Sequence, residues 1–346
     1  MTKEAAIVIC PGRGTYNKLE LGYLQKYHTD KPEFISGIDD YRKKKGQAPI
    51  SELDCADSYK VSLHTRGDNA SALIYACAVA DYMSINKDRY DIVGITGNSM
   101  GWYLALACGN ALQGCDGVHV VNSMGMTMQD EAPGGQIIYP IVDENWQIDT
   151  NLLENLEGAI SKGKRDNGNQ IYTSIRLGGM AILAANDKGV KRLLELLPPV
   201  QEKYPYQLQN HGAFHSPLMK TISDGAKKAL GPDLLKKPHL PLIDGRGHIW
   251  KPHSTNLDEL HDYTFGQQIH ETYDYTKAIE VALKEFGPSK LIVLGPGNTL
   301  GAPTAQCVIQ NNWYGIDGKK SFIDAQKEDP FILSMGINEQ RKLVVR

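Results

Sequence analysis

The sequence lacks the features of a disulfide-stabilised, secreted or membrane-spanning protein. Its six cysteines form no C-x-x-C pair and have no zinc-type spacing, which argues against a disulfide framework and against a cysteine-based metal site. No apolar stretch reaches the roughly 18 residues that a membrane-spanning helix needs. The first apolar run, Ala5–Cys10, is too short for the hydrophobic region of a signal peptide. We therefore predict a cytoplasmic protein with no membrane partner.

The chain also has no marked excess of charge of either sign. Its formal net charge is -3 over 346 residues, which provides no general attraction for nucleic acid, so we predict no nucleic-acid partner. The contents of 41% hydrophobic and 22% charged residues are typical of a globular protein. No histidine or carboxylate cluster has the spacing of metal ligands, so we predict no metal and no tightly bound cofactor.

Short β-branched runs alternate with longer segments of helical periodicity. Four such runs end in turn-forming residues and are predicted to be buried strands: 5–10, 91–96, 240–244 and 291–295. The helical pattern "YTKAIEVALKEFG" ends at a Gly-Pro stop. This order predicts the α/β class with a mostly parallel sheet.

The middle of the chain has a different pattern. It gives strand, helix, strand, helix and strand in succession, with the polar loop "KRDNGNQ" between two of them. This order predicts a small α+β module inserted into the main domain. We assign residues 129–211 to this small subdomain, and residues 1–128 and 212–346 to the large α/β domain.

A serine lies at the point where a predicted strand turns into a predicted helix. The pentapeptide is Gly97-Asn98-Ser99-Met100-Gly101, a G-x-S-x-G pattern that is typical of a nucleophile elbow. A helix start there directs free backbone N–H groups at the serine, which favours a developing oxyanion. The same pattern also fits a glycine-flanked serine in a tight turn or at a helix N-cap.

A nucleophilic serine needs a base, and His215 is the best placed of the ten histidines. It lies in "LQNHGAFHSPLMK", on a glycine-containing loop before the Ser-Pro pair that signals a helix start. His211, in the same loop, is its close rival. Either histidine could instead be an ordinary surface or core residue.

Four strings in this order resemble motifs of one family, the malonyl-CoA:acyl carrier protein transacylases and the acyltransferase domains of fatty acid and polyketide synthases. They are "CPGRGTYNKLELG", "TGNSMGWYLALACG", "GAFHSPLM" and "LGPGNTLGAPT". The resemblance implies an α/β-hydrolase-like large domain with an inserted ferredoxin-like subdomain. It also implies that CoA thioesters and phosphopantetheine are substrates, and that acyl-CoA and an acyl carrier protein are the partners.

The resemblance also implies roles for individual residues. Ser99 would be the nucleophile and His215 the base. The segment "GQQIHETYDYTKAIE" matches the family's orienting loop, so the backbone carbonyl of Gln268 would hold the histidine, with Gln267 as the alternative register. The backbone N–H groups of Met100 and Arg13 would form the oxyanion hole.

The acyl pocket departs from the family pattern. In the family an arginine of an R-G-x-x-M-Q helix binds the malonyl carboxylate, whereas this chain has Met124 at that position, within "MGMTMQ". Malonyl transfer is therefore in doubt, since a buried carboxylate needs a cationic partner. Asn98 replaces the usual histidine before the nucleophile. Trp102 replaces the usual glutamate and is interpreted as core packing.

Two further residues bear on the substrate. Arg176 aligns with an asparagine of the family's small subdomain, and we hypothesise that it faces the cleft and binds a carboxylate or another polar acyl group. An arginine that extends to solvent fits equally well. Phe214, just before His215, resembles the bulky residue of family members that take short acyl groups.

Together these residues predict an acyltransferase that moves a short acyl group from CoA to a carrier-protein thiol, in fatty acid or polyketide biosynthesis. Two alternatives remain open. One is a hydrolase of acyl-carrier thioesters on the same scaffold, and the other is a catalytically silent docking subunit of a synthase complex.

Overall fold

The structure is a computed structural model that describes residues 2–345, except for the side chain of residue 130. Its strands are β1 Glu4–Cys10, β2 Tyr90–Gly97, β3 Gly135–Pro140, β4 Ile171–Leu177, β5 Met180–Ala185, β6 Tyr206–Gln207, β7 Leu242–Ile243, β8 Ile249–Trp250, β9 Tyr273–Asp274, β10 Lys290–Val293 and β11 Ile332–Ser334.

The helices before the small subdomain are α1 Tyr23–Tyr27, α2 Pro32–Lys44, α3 Ile50–Asp54, α4 Val61–His64, α5 Gly67–Ser84, α6 Gly101–Cys108 and α7 Asp116–Glu131. Those that follow are α8 Thr150–Arg165, α9 Asp187–Leu196, α10 Lys220–Ala229, α11 Leu257–Asp262, α12 Gln268–His270, α13 Tyr275–Phe286, α14 Gly301–Gln310, α15 Lys319–Glu328 and α16 Asn338–Val344. A π-helical turn, Tyr263–Gln267, joins α11 to α12.

The large domain is built on a six-stranded sheet in the order β11-β10-β1-β2-β7-β8. Every pair is parallel except β7 with β8. The central strand β1 is buried from Ala6 to Cys10 because helices cover both faces of a parallel sheet. The predicted α/β class with a mostly parallel sheet is confirmed, and α13 ends at Gly287 as predicted from the Gly-Pro stop.

The small sheet has the order β6-β3-β5-β4-β9. Its first four strands and the helices α8 and α9 follow one another as strand, helix, strand, strand, helix, strand, which is the ferredoxin-like arrangement. The prediction of one strand between the two helices, "GGMAILAA", is wrong, because the segment before it, Ile171–Leu177, is also a strand, and a tight turn at Gly178, with φ of 60°, joins the two as the hairpin β4–β5. The polar residues Thr173, Ser174 and Arg176 interrupt the apolar pattern of this first strand, so the sequence gives it no clear strand signal.

One strand of the small sheet comes from outside the inserted module. The short strand β9 pairs in parallel with β4, through Ile175 with Tyr273 and Arg176 with Asp274. The small sheet packs one face on α8 and α9 around a separate apolar core, and its other face is turned toward the large domain. The predicted boundary at residue 129 lies inside α7, and the division into 1–128, 129–211 and 212–346 stays a prediction.

Helix α5 is apolar on all sides and is almost completely buried. It packs against α7 so closely that a Cβ atom on Gly67 would clash with the carbonyl oxygen of Gly125, and a Cβ on Gly125 would clash with that of Gly67. This contact sets the position of α7, which contributes residues to the cleft between the two sheets. None of the helices described between residues 2 and 345 is both long and apolar enough to cross a bilayer.

We expect Gly67→Ala to lower the free energy of unfolding by about 1–3 kcal/mol, because the added methyl group forces two backbones apart. Urea denaturation measures this change. Gly158→Ala is the matched control, since Gly158 lies in α8 and a methyl group added there would meet no neighbouring atom. It should raise stability by about 0.5–1 kcal/mol through helix propensity, and an equal loss in both variants would contradict the proposed contact.

Candidate active site

A cleft of about 700 Å³ lies between the two sheets. The large domain contributes the turn after β2, the loop after β1 and residues of α7, and the small domain contributes the face of β3, β4 and β5 that its own helices leave free. Alternation along these strands explains the second wall, since Ile137 and Tyr139 pack in the small core while Ile138 lines the cleft.

Ser99 sits at the sharp turn between β2 and α6. Its φ of 56° is in the left-handed region, which costs a side-chain-bearing residue energy and is held here by its surroundings. The flanking glycines are required by close packing, since a Cβ on Gly97 would clash with the backbone of Gly101 and one on Gly101 would clash with the carbonyl oxygen of Cys10. The turn therefore has the geometry of a nucleophile elbow.

His215 is brought next to Ser99 from a loop more than a hundred residues away. Its Nε2 lies 2.7 Å from Ser99 Oγ, and its Nδ1 lies 2.7 Å from the carbonyl oxygen of Gln268. A carbonyl oxygen only accepts hydrogen bonds, so Nδ1 carries the proton and Nε2 is the acceptor. His215 also has a positive φ, 53°, and its own N–H donates to the carbonyl oxygen of Ile269.

Gln268 supports both members of this pair. Its Nε2 donates to the carbonyl oxygen of Ser99 at 3.0 Å, and its Oε1 accepts from the hydroxyl of Tyr103 at 2.9 Å. The side chain of Gln267 instead accepts from Arg246. Of the two registers that the sequence left open, the structure places the carbonyl of Gln268 on the histidine.

The histidine loop is also tied to the small subdomain by buried hydrogen bonds. Ser174 Oγ donates to the carbonyl oxygen of Phe214 at 2.7 Å, and Gln136 Nε2 lies 2.6 Å from Ser174 Oγ. The ring of Tyr273 lies 5.4 Å from that of His215 at an angle of 55°, and its hydroxyl donates to the carbonyl oxygen of Gly97. Sequence reasoning missed these residues, because nothing in the local pattern marks a distant hydrogen-bond partner.

The candidate base and its rival differ in their neighbours. His211 Nδ1 is 2.8 Å from Gln136 Oε1, so its ring is bound to β3, and no hydrogen bond joins it to the serine. Burial lowers the pKa of His215 to about 4, opposed by its bond to Gln268. Burial and the charge of Arg13 lower the pKa of His211 to about 3. Both imidazoles are therefore neutral near pH 7, and His215 is in the form that can accept a proton.

Two residues of the cleft lining have backbone N–H groups that make no hydrogen bond within the described chain. Among residues 2–345, the N–H groups of Met100 and Arg13 have no hydrogen-bond acceptor. Met100 immediately precedes the first turn of α6, where backbone N–H groups are left over by the helix geometry. Both residues line the cleft, and their role as the oxyanion hole stays a prediction.

The cleft is apolar at Met124, the position at which the resembled family has an arginine. Met124 is 4% exposed and lines the cleft together with Phe214. Asn98 also lines it and is 8% exposed, with an Oδ1 atom that has no hydrogen-bond partner in the part of the chain that the structure describes. Trp102 is fully buried and donates to Thr264, which confirms its interpretation as core packing.

Arg176 is the predicted site residue that the structure does not bring into the cleft. It lies on β4 opposite Asp274 of β9, and its guanidinium binds that carboxylate at 2.9 Å with 65% of the side chain exposed. The hypothesis that it faces the cleft is wrong, because strand alternation directs it to the outer face of the small sheet. The alternative, an arginine extending to solvent, describes its position.

Among the described residues, no group of three or more histidine, cysteine and carboxylate side chains is placed to hold a metal ion. Among the polar groups of the cleft, one candidate nucleophile, one candidate base and two unbonded backbone amides form the combination that acyl chemistry requires.

Comparison with known proteins agrees with this geometry. No protein-family model matches the chain. Over 219 residues it is 24% identical to the malonyl CoA-acyl carrier protein transacylase of Bacillus subtilis (strain 168), covering 62% of this chain. The match spans 65% of the length of that relative, which is just under two thirds.

Solved structures share the fold over nearly the whole chain. The malonyl-CoA:acyl carrier protein transacylase of Xanthomonas oryzae pv. oryzae KACC10331 covers 100% of both chains with a TM-score of 0.74 and 17% identity. Another solved structure is a type II PKS acyl carrier protein in complex with its malonyl-transacylase. The matching chain has a TM-score of 0.71 and 19% identity, and the match covers 88% of this chain and 93% of the other. The resemblance predicted from the four motifs is confirmed by these relatives, and so is the fold, a large α/β domain with a small ferredoxin-like subdomain.

We expect Ser99 to react with a fluorophosphonate probe, and the reaction rate to fall only as the pH drops through about 4, because the lowered pKa of His215 keeps the base neutral above that pH. Stopped-time intact-mass measurement gives the rate, and Ser99→Ala should take no label.

The same lowered pKa means that the unfolded chain binds more protons than the folded one below about pH 6.5. Stability therefore falls as the pH drops from 6.5 toward 4, so the reaction is measured in brief pH jumps. A midpoint near 6.5 in protein that remains folded would contradict the assignment of a buried neutral histidine.

We expect Gln268→Ala to slow labelling of Ser99 roughly tenfold, since two hydrogen bonds that fix the orienting carbonyl are lost. Gln267→Ala is the matched control and should leave the labelling rate unchanged, because its side chain binds Arg246 outside the cleft. Equal effects of the two substitutions would show that the orienting role was assigned to the wrong residue.

Proposed function

We propose that this protein is an acyltransferase that moves a short acyl group from coenzyme A to the phosphopantetheine thiol of an acyl carrier protein. The observation that carries the proposal is the continuous hydrogen-bonded line from Ser99 Oγ through His215 to the carbonyl oxygen of Gln268. Two backbone donors of the cleft lining, and the similarity to malonyl-CoA:acyl carrier protein transacylases, support acyl transfer through a serine ester.

The first half-reaction loads the serine. Ser99 Oγ attacks the thioester carbonyl carbon while its proton passes to Nε2 of His215. The resulting oxyanion accepts hydrogen bonds from the N–H groups of Met100 and Arg13. When the carbon–sulfur bond breaks, the CoA sulfur takes the proton from His215, and the acyl group remains as an ester of Ser99.

The second half-reaction repeats these steps in reverse order. The pantetheine thiol of the carrier protein gives its proton to His215 and attacks the ester carbonyl carbon. The oxyanion forms again in the same hole, and Ser99 Oγ leaves with the proton from His215. One thioester is consumed and one is formed, so the reaction balances without an oxidant or any further co-substrate.

The carbonyl of Gln268 has a specific role in both halves. By accepting from Nδ1–H it fixes the tautomer and orients Nε2 toward the serine, and it stabilises the imidazolium that forms in each half-reaction. A carbonyl dipole does this without a buried carboxylate, so no second charge has to be desolvated in the cleft.

A carrier protein as second substrate fits the shape of the site. The serine lies at the bottom of a cleft between two domains, where a flexible pantetheine arm can enter while bulk water is largely excluded by apolar residues such as Ile138 and Leu177. Phe214 and Met124 limit the depth available to the acyl chain, which supports a short acyl group.

The test is intact-mass analysis after exposure to a panel of acyl-CoA thioesters. Wild-type protein should gain the mass of one acyl group on Ser99, Ser99→Ala should gain none, and His215→Ala should be acylated at least about a hundredfold more slowly. Initial rates with acyl-CoA and holo-carrier protein should give the parallel lines of a ping-pong mechanism.

The competing functions give different results in the same experiment. A hydrolase would lose the acyl mass at the same rate with or without carrier protein, whereas a transferase ester should persist until the carrier protein is added. A silent docking subunit would gain no mass from any acyl-CoA in the panel.

A further inference from the structure

Arg13 places a positive charge in the cleft beside the reaction centre. The other lysine or arginine that lines the cleft, Lys319, lies over the ring of Trp146 at 5.5 Å. Arg13, in contrast, follows β1 directly, and its backbone N–H is one of the two predicted oxyanion donors. Its guanidinium lies 5.8 Å from the centroid of Phe214, the residue before the candidate base.

This guanidinium has no anionic partner. Among residues 2–345 it makes no ion pair, and its one side-chain hydrogen bond is a long one, 3.3 Å from Nη2 to the carbonyl oxygen of Thr65. Burial, unopposed by any neighbouring carboxylate, lowers the pKa of Arg13 to about 10. The desolvated charge is therefore left uncompensated.

The buried arginines of the described chain do have polar partners. Arg341 binds Asp81 at 2.6 Å. Arg42 donates to the carbonyl oxygens of Ala48 and Asp68 and to two asparagine side chains. A cation that lacks such partners and borders an open cleft attracts an anion.

The position of Arg13 decides which anion can reach it. Its side chain starts at the oxyanion hole, so its guanidinium lies within one side-chain length of the acyl carbonyl. The phosphates of coenzyme A and of a carrier protein are separated from the thioester by the whole pantetheine arm. An anionic group on the acyl chain is therefore the one that the reaction itself brings to Arg13.

We infer that Arg13 binds a free carboxylate on the acyl group, so that the protein selects acyl thioesters that end in a carboxylate. This inference rests on the proposed acyl transfer and names its substrate class. The planar guanidinium can donate two parallel hydrogen bonds to a carboxylate, which a neutral acyl chain cannot accept. The cation comes from the loop after β1, on the opposite wall from Met124 of α7.

The space around Arg13 admits more than one chain length. Arg13 also borders a second cavity of about 620 Å³, lined by Thr65, Asn210 and Lys203 and by no carboxylate. A longer dicarboxylic acyl group can extend in that direction without meeting a negative charge.

The experiment compares acylation of Ser99 by pairs of CoA thioesters matched in chain length: malonyl with propionyl, and succinyl with butyryl. The readout is the ratio of kcat/KM for the carboxylated member to that for the neutral member. Wild-type protein should favour the carboxylated member of at least one pair. In Arg13→Gln, which keeps the backbone N–H, the ratio should fall at least about tenfold, the usual effect of losing a charge-assisted hydrogen-bonded pair.

Two other arginine-to-glutamine changes make the result specific. Arg192→Gln removes an exposed arginine of α9 that binds Asp166 and Glu195, and the ratio should not change. A larger fall in Arg176→Gln than in Arg13→Gln would overturn the assignment.

Other outcomes separate this inference from the proposed function. If Arg13→Gln lowers both rates of a pair equally, Arg13 acts through the oxyanion loop alone and the inference fails while acyl transfer stands. If wild-type Ser99 accepts no acyl group at all, the proposed function itself fails. A second measurement serves if Arg13→Gln does not fold. Free succinate and inorganic phosphate are compared as inhibitors of the acylation of Ser99 in wild-type protein. Stronger inhibition by succinate supports the inference, and equal or stronger inhibition by phosphate overturns it.

Discussion

The hydrogen bond between Ser99 and His215 is the contact on which the rest of the site depends. Both residues have a positive φ, a conformation that costs energy in each and that persists only where the surroundings fix it. Gln268 fixes both, since its carbonyl oxygen holds the histidine and its side chain holds the backbone of the serine. Three segments distant in sequence are thus locked into one arrangement by three hydrogen bonds.

The two-domain architecture explains how this arrangement is kept rigid and still open. The elbow belongs to the large sheet, whereas the histidine loop is tied to the small sheet through Ser174 and Gln136. Tyr273, on the strand that joins the small sheet to the C-terminal half, donates to the backbone of the elbow. Buried hydrogen bonds therefore link the two sheets at the cleft, which still encloses about 700 Å³.

The electrostatics of the cleft follow from burial. Desolvation keeps His215 neutral, which suits a base that must accept a proton from a serine at neutral pH. The same desolvation leaves Arg13 as an isolated charge, because no carboxylate of the described chain reaches it. One physical effect thus makes the base ready for reaction and creates a place for an anionic group next to it.

The sequence by itself determined the class of the fold, the elbow at Ser99 and the histidine loop, because each is encoded by neighbours: a β-branched run, glycines at fixed spacing, a helix start after a turn. It could not identify β4, the first strand of the hairpin β4–β5, since polar residues interrupt the apolar pattern of Ile171–Leu177. Nor could it tell Arg176 from Arg13, because the direction of a side chain depends on strand pairing and on which surfaces face each other. Only the tertiary structure decided that Arg176 meets Asp274 outside the cleft and that Arg13 lines the cleft with no carboxylate bound to it among the described residues, since long-range contacts are set by packing and leave no local signal.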